Sequence, residues 1–299
     1  MTFIALVGGL SYRKTSDLCA FYDLRSNVLS DFKNKFFWGW HILMNSKSLA
    51  GLALKAGFLA RFQKQSRPDI QICIGTHHKV LTVLLARVFR VFSALTNRRY
   101  SYGRGDDIDY SADVLIDHHS DFDWTKTSRP LTGIHVTRDP RDLLVSAAFY
   151  HMKGTESWMH DVRDDLGRKS YHQYVLSLKD TEERLLFEID NSGGQNIRDM
   201  LNWVGHDNIF EAKYSDLVGP GSADNFAKIV SGFPISDTEK RLVVALFKYF
   251  SLGSAGAKKN KHIRNASSGQ WREHFTPAVS ARFDAVFPDA GKQLGYDAN

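Results

Sequence analysis

Gly133-Ile134-His135-Val136-Thr137-Arg138-Asp139-Pro140-Arg141-Asp142-Leu143-Leu144-Val145-Ser146 changes character at its centre. Gly133 to Thr137 reads as a short strand, and Leu143 to Tyr150 continues as a helix after the turn Arg138-Asp139-Pro140-Arg141. Asp139 is a good N-cap, Pro140 suits the first helical turn with its fixed φ, and Asp142 complements the dipole there, so the helix start is well defined. The strand therefore aims Arg138 from its end. Ser146 follows about two turns into the helix, within reach of a ligand lying along those turns, and Arg138 supplies a charged fork for a phosphate. Taken alone, the same pattern also suits an exposed Arg and a helix-interior Ser.

Outward from this stretch the alternation repeats. Ile70 to Ile74 is a short β-branched run closed by Gly75-Thr76, and Val80 to Phe92 is apolar on nearly every face, giving a buried strand, a loop and a buried helix. Ala112 to Ile116 supplies another short strand that ends at Asp117-His118-His119. Glu156 to Trp203 is mainly helical, Asn208 to Lys213 is a further strand followed by Tyr214-Ser215-Asp216-Leu217, and residues 222–250 form two helices broken near Gly232-Phe233-Pro234. A last helix runs from Pro277 towards Phe287, and the Gly-, Ser- and Lys-rich stretch Ser251 to Ser268 reads as an exposed loop. This order predicts an α/β, three-layer fold, a central parallel sheet with helices on both faces, whose ligands gather at the carboxyl ends of the strands. The 299 residues are expected to make a single domain, with 1–68 as an aromatic-rich helical cap and 69–299 as the core.

Composition narrows the partners. An excess of 39 Lys+Arg over 33 Asp+Glu, or +6, suits a polyanionic ligand but is too small to signal nucleic-acid binding. The basic runs Lys258 to Arg264 and Asn97-Arg98-Arg99-Tyr100 are the only features that favour RNA. Cys19 and Cys73 stand far apart with no ligand-spaced partners, so neither a disulfide framework nor a Cys-based zinc site is expected. No apolar run is long enough to span a membrane, and Met1 to Leu10 lacks the basic start of a secretory signal, which together predict a cytoplasmic protein. Ser48 to Phe62 reads as an amphipathic helix that packs on the core or lies on a lipid surface.

The loop Ile74-Gly75-Thr76-His77-His78-Lys79-Val80-Leu81-Thr82 joins strand to helix, so backbone N–H groups should point unpaired at an anion above the helix start. Lys79 adds a full charge and Thr82 a hydroxyl one turn on. A Walker loop would need a second Gly just before the Lys, which disfavours ATP or GTP hydrolysis. His77 and His78 are adjacent in an extended loop, so their side chains diverge, and no metal is expected.

Arg138-Asp139-Pro140-Arg141-Asp142, with Ser146 eight residues after the Arg, resembles the 3′-phosphate motif of the sulfotransferases that use 3′-phosphoadenosine 5′-phosphosulfate (PAPS). Lys79 and Thr82 are similar to that family's first motif. Arg264-Asn265-Ala266-Ser267-Ser268-Gly269-Gln270-Trp271-Arg272 resembles its R-K-G-x-x-G-x-W-K motif, and Tyr214-Ser215-Asp216-Leu217 its Y-x-D-L run. The resemblance spans about residues 69 to 296. Four positions depart from the pattern: the family's Gly after the motif Lys is Leu81, its adenine-packing Trp falls at Leu84, and Asn265-Ala266 replace Lys-Gly.

The resemblance implies a P-loop-like sulfotransferase architecture and transfer of a sulfuryl group from PAPS to a hydroxyl or amine of a small-molecule or carbohydrate acceptor, releasing PAP, with no metal. It further implies that Lys79 neutralises the leaving oxygen and that His78, Val80, Leu81, Thr82 and Val83 line the 5′-phosphate loop. Arg138, Ser146, Arg264, Ala266 and Gly269 fall to the 3′-phosphate, and Tyr214 to adenine. The general base is expected after the third strand, with His118 preferred over His119 and Asp117 or Asp121 as carboxylate alternatives. Residues 1–68 and 154–203 would shape the acceptor site. Two other readings stand beside this one: a nucleotide kinase or ATPase that requires Mg²⁺, and a non-catalytic adenine-nucleotide or RNA-binding module.

Overall fold

In a computed structural model, the structure describes residues 69–251 and 268–296. The expected cap of 1–68, the amphipathic segment 48–62 and most of the loop 251–268 lie outside the described residues.

The chain forms β1 (Gln71–Gly75), α1 (Thr82–Leu95), β2 (Tyr100–Gly103), β3 (Val114–Asp117), β4 (Leu131–Thr137) and α2 (Pro140–His151). A small hairpin of β5 (Val162–Arg163) and β6 (Lys169–Ser170) follows, then α3 (Tyr171–Ser177), α4 (Thr181–Asp190), α5 (Ser192–Leu201) and β7 (Ile209–Lys213). The chain continues with α6 (Ser222–Ser231), α7 (Asp237–Phe250), α8 (Trp271–His274), α9 (Pro277–Val286) and α10 (Ala290–Gln293). Five strands make one sheet in the order β2-β3-β1-β4-β7, every pair parallel. The expected α/β architecture is the one observed.

The register decides where the site is. Gly75 lies opposite both Asp117 and His135, and Thr137 lies opposite Lys213, so β1, β3, β4 and β7 finish along a common edge. The loops that begin at Thr76, His118, Arg138 and Tyr214 therefore leave the sheet side by side. One sheet face contributes Ile72, Ile74, Val114, Ile116, Ile134 and Val136 to the main core; the other places Cys73, Leu115, Leu131 and Ile209 against Tyr110, Phe122, Trp124 and Trp203. Gly133 is required where β4 passes β1, because a Cβ there would collide with the Cys73 carbonyl oxygen.

Helix signals translate directly. α1 buries Leu85, Val88, Phe89 and Phe92, one stripe at helical spacing. α2 starts where Asp139 accepts a hydrogen bond from the Arg141 N–H and Pro140 fills the first position. Ser236 and Glu239 close a capping box on α7.

Three readings of the sequence change. The first helix begins at Thr82 rather than Val80, because Lys79 and Leu81 adopt left-handed φ angles of 66° and 60°. Asn97-Arg98-Arg99-Tyr100 is no basic patch: Arg98 is buried on Glu239 at 2.7 Å, and Tyr100 opens edge strand β2. Glu156 to Trp203 is interrupted by the β5–β6 hairpin, two short pieces with too little periodicity to be read from sequence.

Candidate active site

The first loop is tied down at several points. Thr82 donates its hydroxyl to the His77 carbonyl at 2.8 Å, the Val80 N–H bonds to the same carbonyl at 2.9 Å, and the His78 N–H bonds to Asn196 Oδ1 at 3.2 Å. The amides of Lys79, Leu81 and Thr82 remain without a hydrogen-bond partner among the described residues. They sit at the start of a 14-residue helix, a favourable place for an anion. Val80 is buried in the core, Leu81 packs against it, and Val83 is exposed. Leu81 explains one departure from the family pattern in physical terms: the position needs a left-handed residue, which Gly adopts freely and Leu at a cost of about 1–2 kcal/mol.

Arg138 reaches across from β4. Its Nη1 donates to the Lys79 carbonyl at 3.0 Å and its guanidinium lies 4.2 Å over the Tyr214 ring. Its Nε is buried and has no partner among the described residues, a donor left for something else. Tyr214 is buried beneath this guanidinium, a support for Arg138 that the sequence did not disclose. Ser146 is half-buried on α2. Gly269 enters through its backbone, its N–H donating to Asp142 Oδ2 at 2.7 Å, while the Trp271 N–H donates to Oδ1 at 3.0 Å. Trp271 in turn stacks under Arg141 at 3.9 Å, and Arg141 pairs with Asp139. The C-terminal motif is thus seated on the first turn of α2. Arg264 and Ala266 lie outside the described residues.

The Lys79 ammonium rests 3.7 Å from the centre of the Tyr150 ring, whose hydroxyl donates to Glu156 Oε1 at 2.7 Å; Trp158 holds Oε2 at 2.7 Å. Burial, assisted by the charge of Arg138, lowers the Lys79 ammonium to about 8, against a weaker opposing pull from Glu156.

The two candidate bases differ. His118 stacks on Tyr102, with centroids 5.2 Å apart at 14°; burial first, and the charge of His119 second, lower its proton affinity. His119 is anchored by its N–H to Asp117 Oδ1 at 2.8 Å and by Nδ1 to Asp199 Oδ2 at 2.8 Å. Burial pushes the Asp199 carboxyl up, yet the bonds from His119 and Gln195 hold it below the usual carboxylate range. Asp117 is fully buried and accepts the Gly105 N–H as well, a loop-fixing role. Asp121 is exposed.

His77 and His78 diverge as expected. His77 Nε2 meets His135 Nε2 at 2.9 Å, and His135 Nδ1 meets Glu211 Oε2 at 2.6 Å; the Trp203 indole donates to Glu211 Oε1 at 2.7 Å. His78 stacks on His151, which is paired with buried Glu188 at 2.5 Å. Burial before neighbouring charge lowers both His77 and His78 well below the ordinary imidazole range. Tyr150, Glu156, Asn196 and Asp199 were not visible in the sequence as site residues. They stand in helices and turns, and only the fold brings them to the strand ends.

This edge combines two cations on neighbouring strand ends, free helix-start amides and an imidazole–carboxylate pair, groups able to bind an anion and accept a proton. No protein-family model and no curated protein matches the chain. Among solved structures, the chain is similar to a mouse sulfotransferase complexed with PAP, at 16% identity and TM-score 0.48, covering 79% of this chain and 88% of that one. It is also similar to retinol dehydratase in complex with androsterone and inactive cofactor PAP, at 12% identity and TM-score 0.45. A second retinol dehydratase structure, with retinol and PAP, gives 12% and 0.47; both cover 81% of this chain and 87% of the other.

Proposed function

We propose that the protein is a sulfotransferase that moves a sulfuryl group from PAPS to a hydroxyl or amine of a small-molecule or carbohydrate acceptor and releases PAP. The observation that carries the reading is the 3.0 Å bond from the Arg138 guanidinium to the Lys79 main-chain carbonyl, which ties the cation leaving β4 to the backbone of the Lys79 loop leaving neighbouring β1. The unpartnered Nε of Arg138 and the open amides at the start of α1 give the two ends of a bisphosphorylated nucleoside separate places to bind.

In this reading the acceptor oxygen or nitrogen attacks sulfur as the bond from sulfur to the bridging phosphate oxygen breaks. Negative charge builds on that oxygen, and Lys79 neutralises it; Thr82 and the loop from His78 to Val83 line the 5′-phosphate. Arg138 and Ser146 hold the 3′-phosphate, and Arg264, Ala266 and Gly269 are assigned to the same phosphate. Tyr214 carries Arg138 and borders the adenine. The acceptor proton passes to His119 rather than to His118, because His119 has a carboxylate to stabilise the imidazolium while His118 packs on an aromatic ring.

Thermal melting with PAP, with ATP and Mg²⁺, or with neither tests the proposal. PAP at 100 times its Kd should add about 2.7 kcal/mol of stability, with ATP far weaker. Stabilisation by ATP and Mg²⁺ but not by PAP points instead to a kinase or ATPase and removes the proposal.

A further inference from the structure

One helix touches both halves of the proposed chemistry. On α5, Asn196 accepts the His78 N–H of the Lys79 loop, and Asp199, three residues on, accepts the His119 ring. Residues three apart share a helix face, so both contacts issue from one rigid surface. Each side chain is itself held: Asn196 Nδ2 donates to the Ser192 carbonyl at 2.7 Å, and Gln195 Nε2 donates to Asp199 Oδ1 at 2.9 Å. The helix is locked at its start as well. The Gly193 N–H donates to Glu188 Oε2 at 2.9 Å, and a Cβ on Gly194 would collide with the Ile189 carbonyl oxygen.

We propose that α5 is the spacer of the active site and that Asp199 is the positioning residue for the His119 base. This rests on the sulfotransferase reading for its chemistry but not for its geometry. A carboxylate can only accept, so the proton of neutral His119 resides on Nδ1 and its Nε2 carries the bare lone pair that takes the acceptor proton. Asn196 holds the loop of Lys79 at a fixed offset from that nitrogen. The charged and titratable groups around His119 include His118 at 5.0 Å between ring centroids, Asp117 on its backbone, Arg104 acting on Asp199, and buried His77 and His78.

The test reads the ring first and the rate second. In the full-length wild-type protein, ¹⁵N chemical shifts of His119, assigned with His119→Gln, should show the Nδ1–H tautomer at pH 7.5. Asp199→Asn, which can turn its amide to donate, should shift the ring to Nε2–H. With the best acceptor from a panel of phenols, sugars and amines, Asp199→Asn should lower kcat about 10²–10⁴-fold, the range of a lost general base. PAP affinity should stay within about twofold, since no phosphate contact is touched. A wild-type ring in the Nε2–H form overturns the inference by itself, whatever the variants do and whether or not PAP binds. Wild-type kcat in Asp199→Asn, with His119→Gln inactive, does the same. A wild-type Nδ1–H ring in a protein that PAP fails to stabilise leaves the positioning intact and removes only the sulfotransferase reading.

Discussion

Replacing Lys79 with Met should make the nucleotide-free protein more stable while abolishing most of its activity. The folded state lowers the Lys79 ammonium from 10.5 to about 8, chiefly through burial. At about 1.36 kcal/mol for each tenfold change in proton affinity, keeping that proton at neutral pH costs the fold on the order of 3 kcal/mol. The cation's contact with the Tyr150 ring, worth about 0.5–2 kcal/mol, is lost in the variant, so the net gain should be about 1–3 kcal/mol at pH 7. The pH dependence carries the argument further. Between about 8 and 10.5 the unfolded Lys still binds its proton and the folded one does not, so wild-type stability rises with pH across that window and the variant's advantage shrinks. Cys73, raised to about 12 by burial, acts in the opposite direction but equally in both proteins, and drops out of the difference. Urea unfolding of both proteins from pH 6.5 to 10 without nucleotide measures this. A variant that is no more stable at pH 7, or whose advantage does not change with pH, refutes the account of Lys79 as a destabilising charge held for function. Turnover of the variant should fall about 10²–10³-fold, the range for one lost donor at a developing charge.

Arg138→Ala should weaken PAP binding about 10- to 150-fold by calorimetry, the range for hydrogen bonds to a charged group, while ATP shows no comparable loss. Asp142→Ala should speed amide exchange at Gly269 and Trp271, whose N–H groups it accepts, and destabilise the protein by about 1–3 kcal/mol; unchanged exchange would remove its role in seating the C-terminal motif. Glu188→Ala should destabilise by about 3–5 kcal/mol in chemical unfolding, because it leaves buried His151 and the Gly193 N–H without an acceptor. The Cys73 thiol should resist alkylation in the native protein at pH 8 and react only on unfolding, since burial both covers it and holds it protonated.

The fold was legible because its signals are local. The Asp139-Pro140 helix start, the β-branched runs ending at Gly75 and Thr137, and the break at Gly232-Phe233-Pro234 each fix an element without reference to the rest of the chain. β2 escaped notice because Tyr100 to Gly103 is four residues at a sheet edge preceded by two arginines, one of which proves to be an interior ion-pair partner. The strand-end anchors Lys79 and Arg138 were legible for the same local reason. Their neighbours were not: Tyr150 and Glu156 flank a helix end, and Asp199 is one acid among polar residues of an amphipathic helix, whose meaning comes from a contact 80 residues away. Gly269 and Tyr214 show the converse. Their motifs were recognisable, but the immediate partners are Asp142 and Arg138.

The contact between His77 and His135 joins two ring nitrogens, and such a bond exists only while one of them carries hydrogen and the other does not. Glu211 accepts the Nδ1–H of His135, which leaves His135 Nε2 bare to accept from His77 Nε2–H, so a single proton staples the anion-binding loop to the far margin of the sheet. Burial keeps His77 from charging until well below its solution range, while in an unfolded chain it would charge near 6.5; as the medium acidifies past that point, the folded form loses ground steadily. A second proton would set two N–H groups against each other. Acid should therefore unfasten the loop that carries Lys79 from within, before the apolar layers on either side have any reason to part.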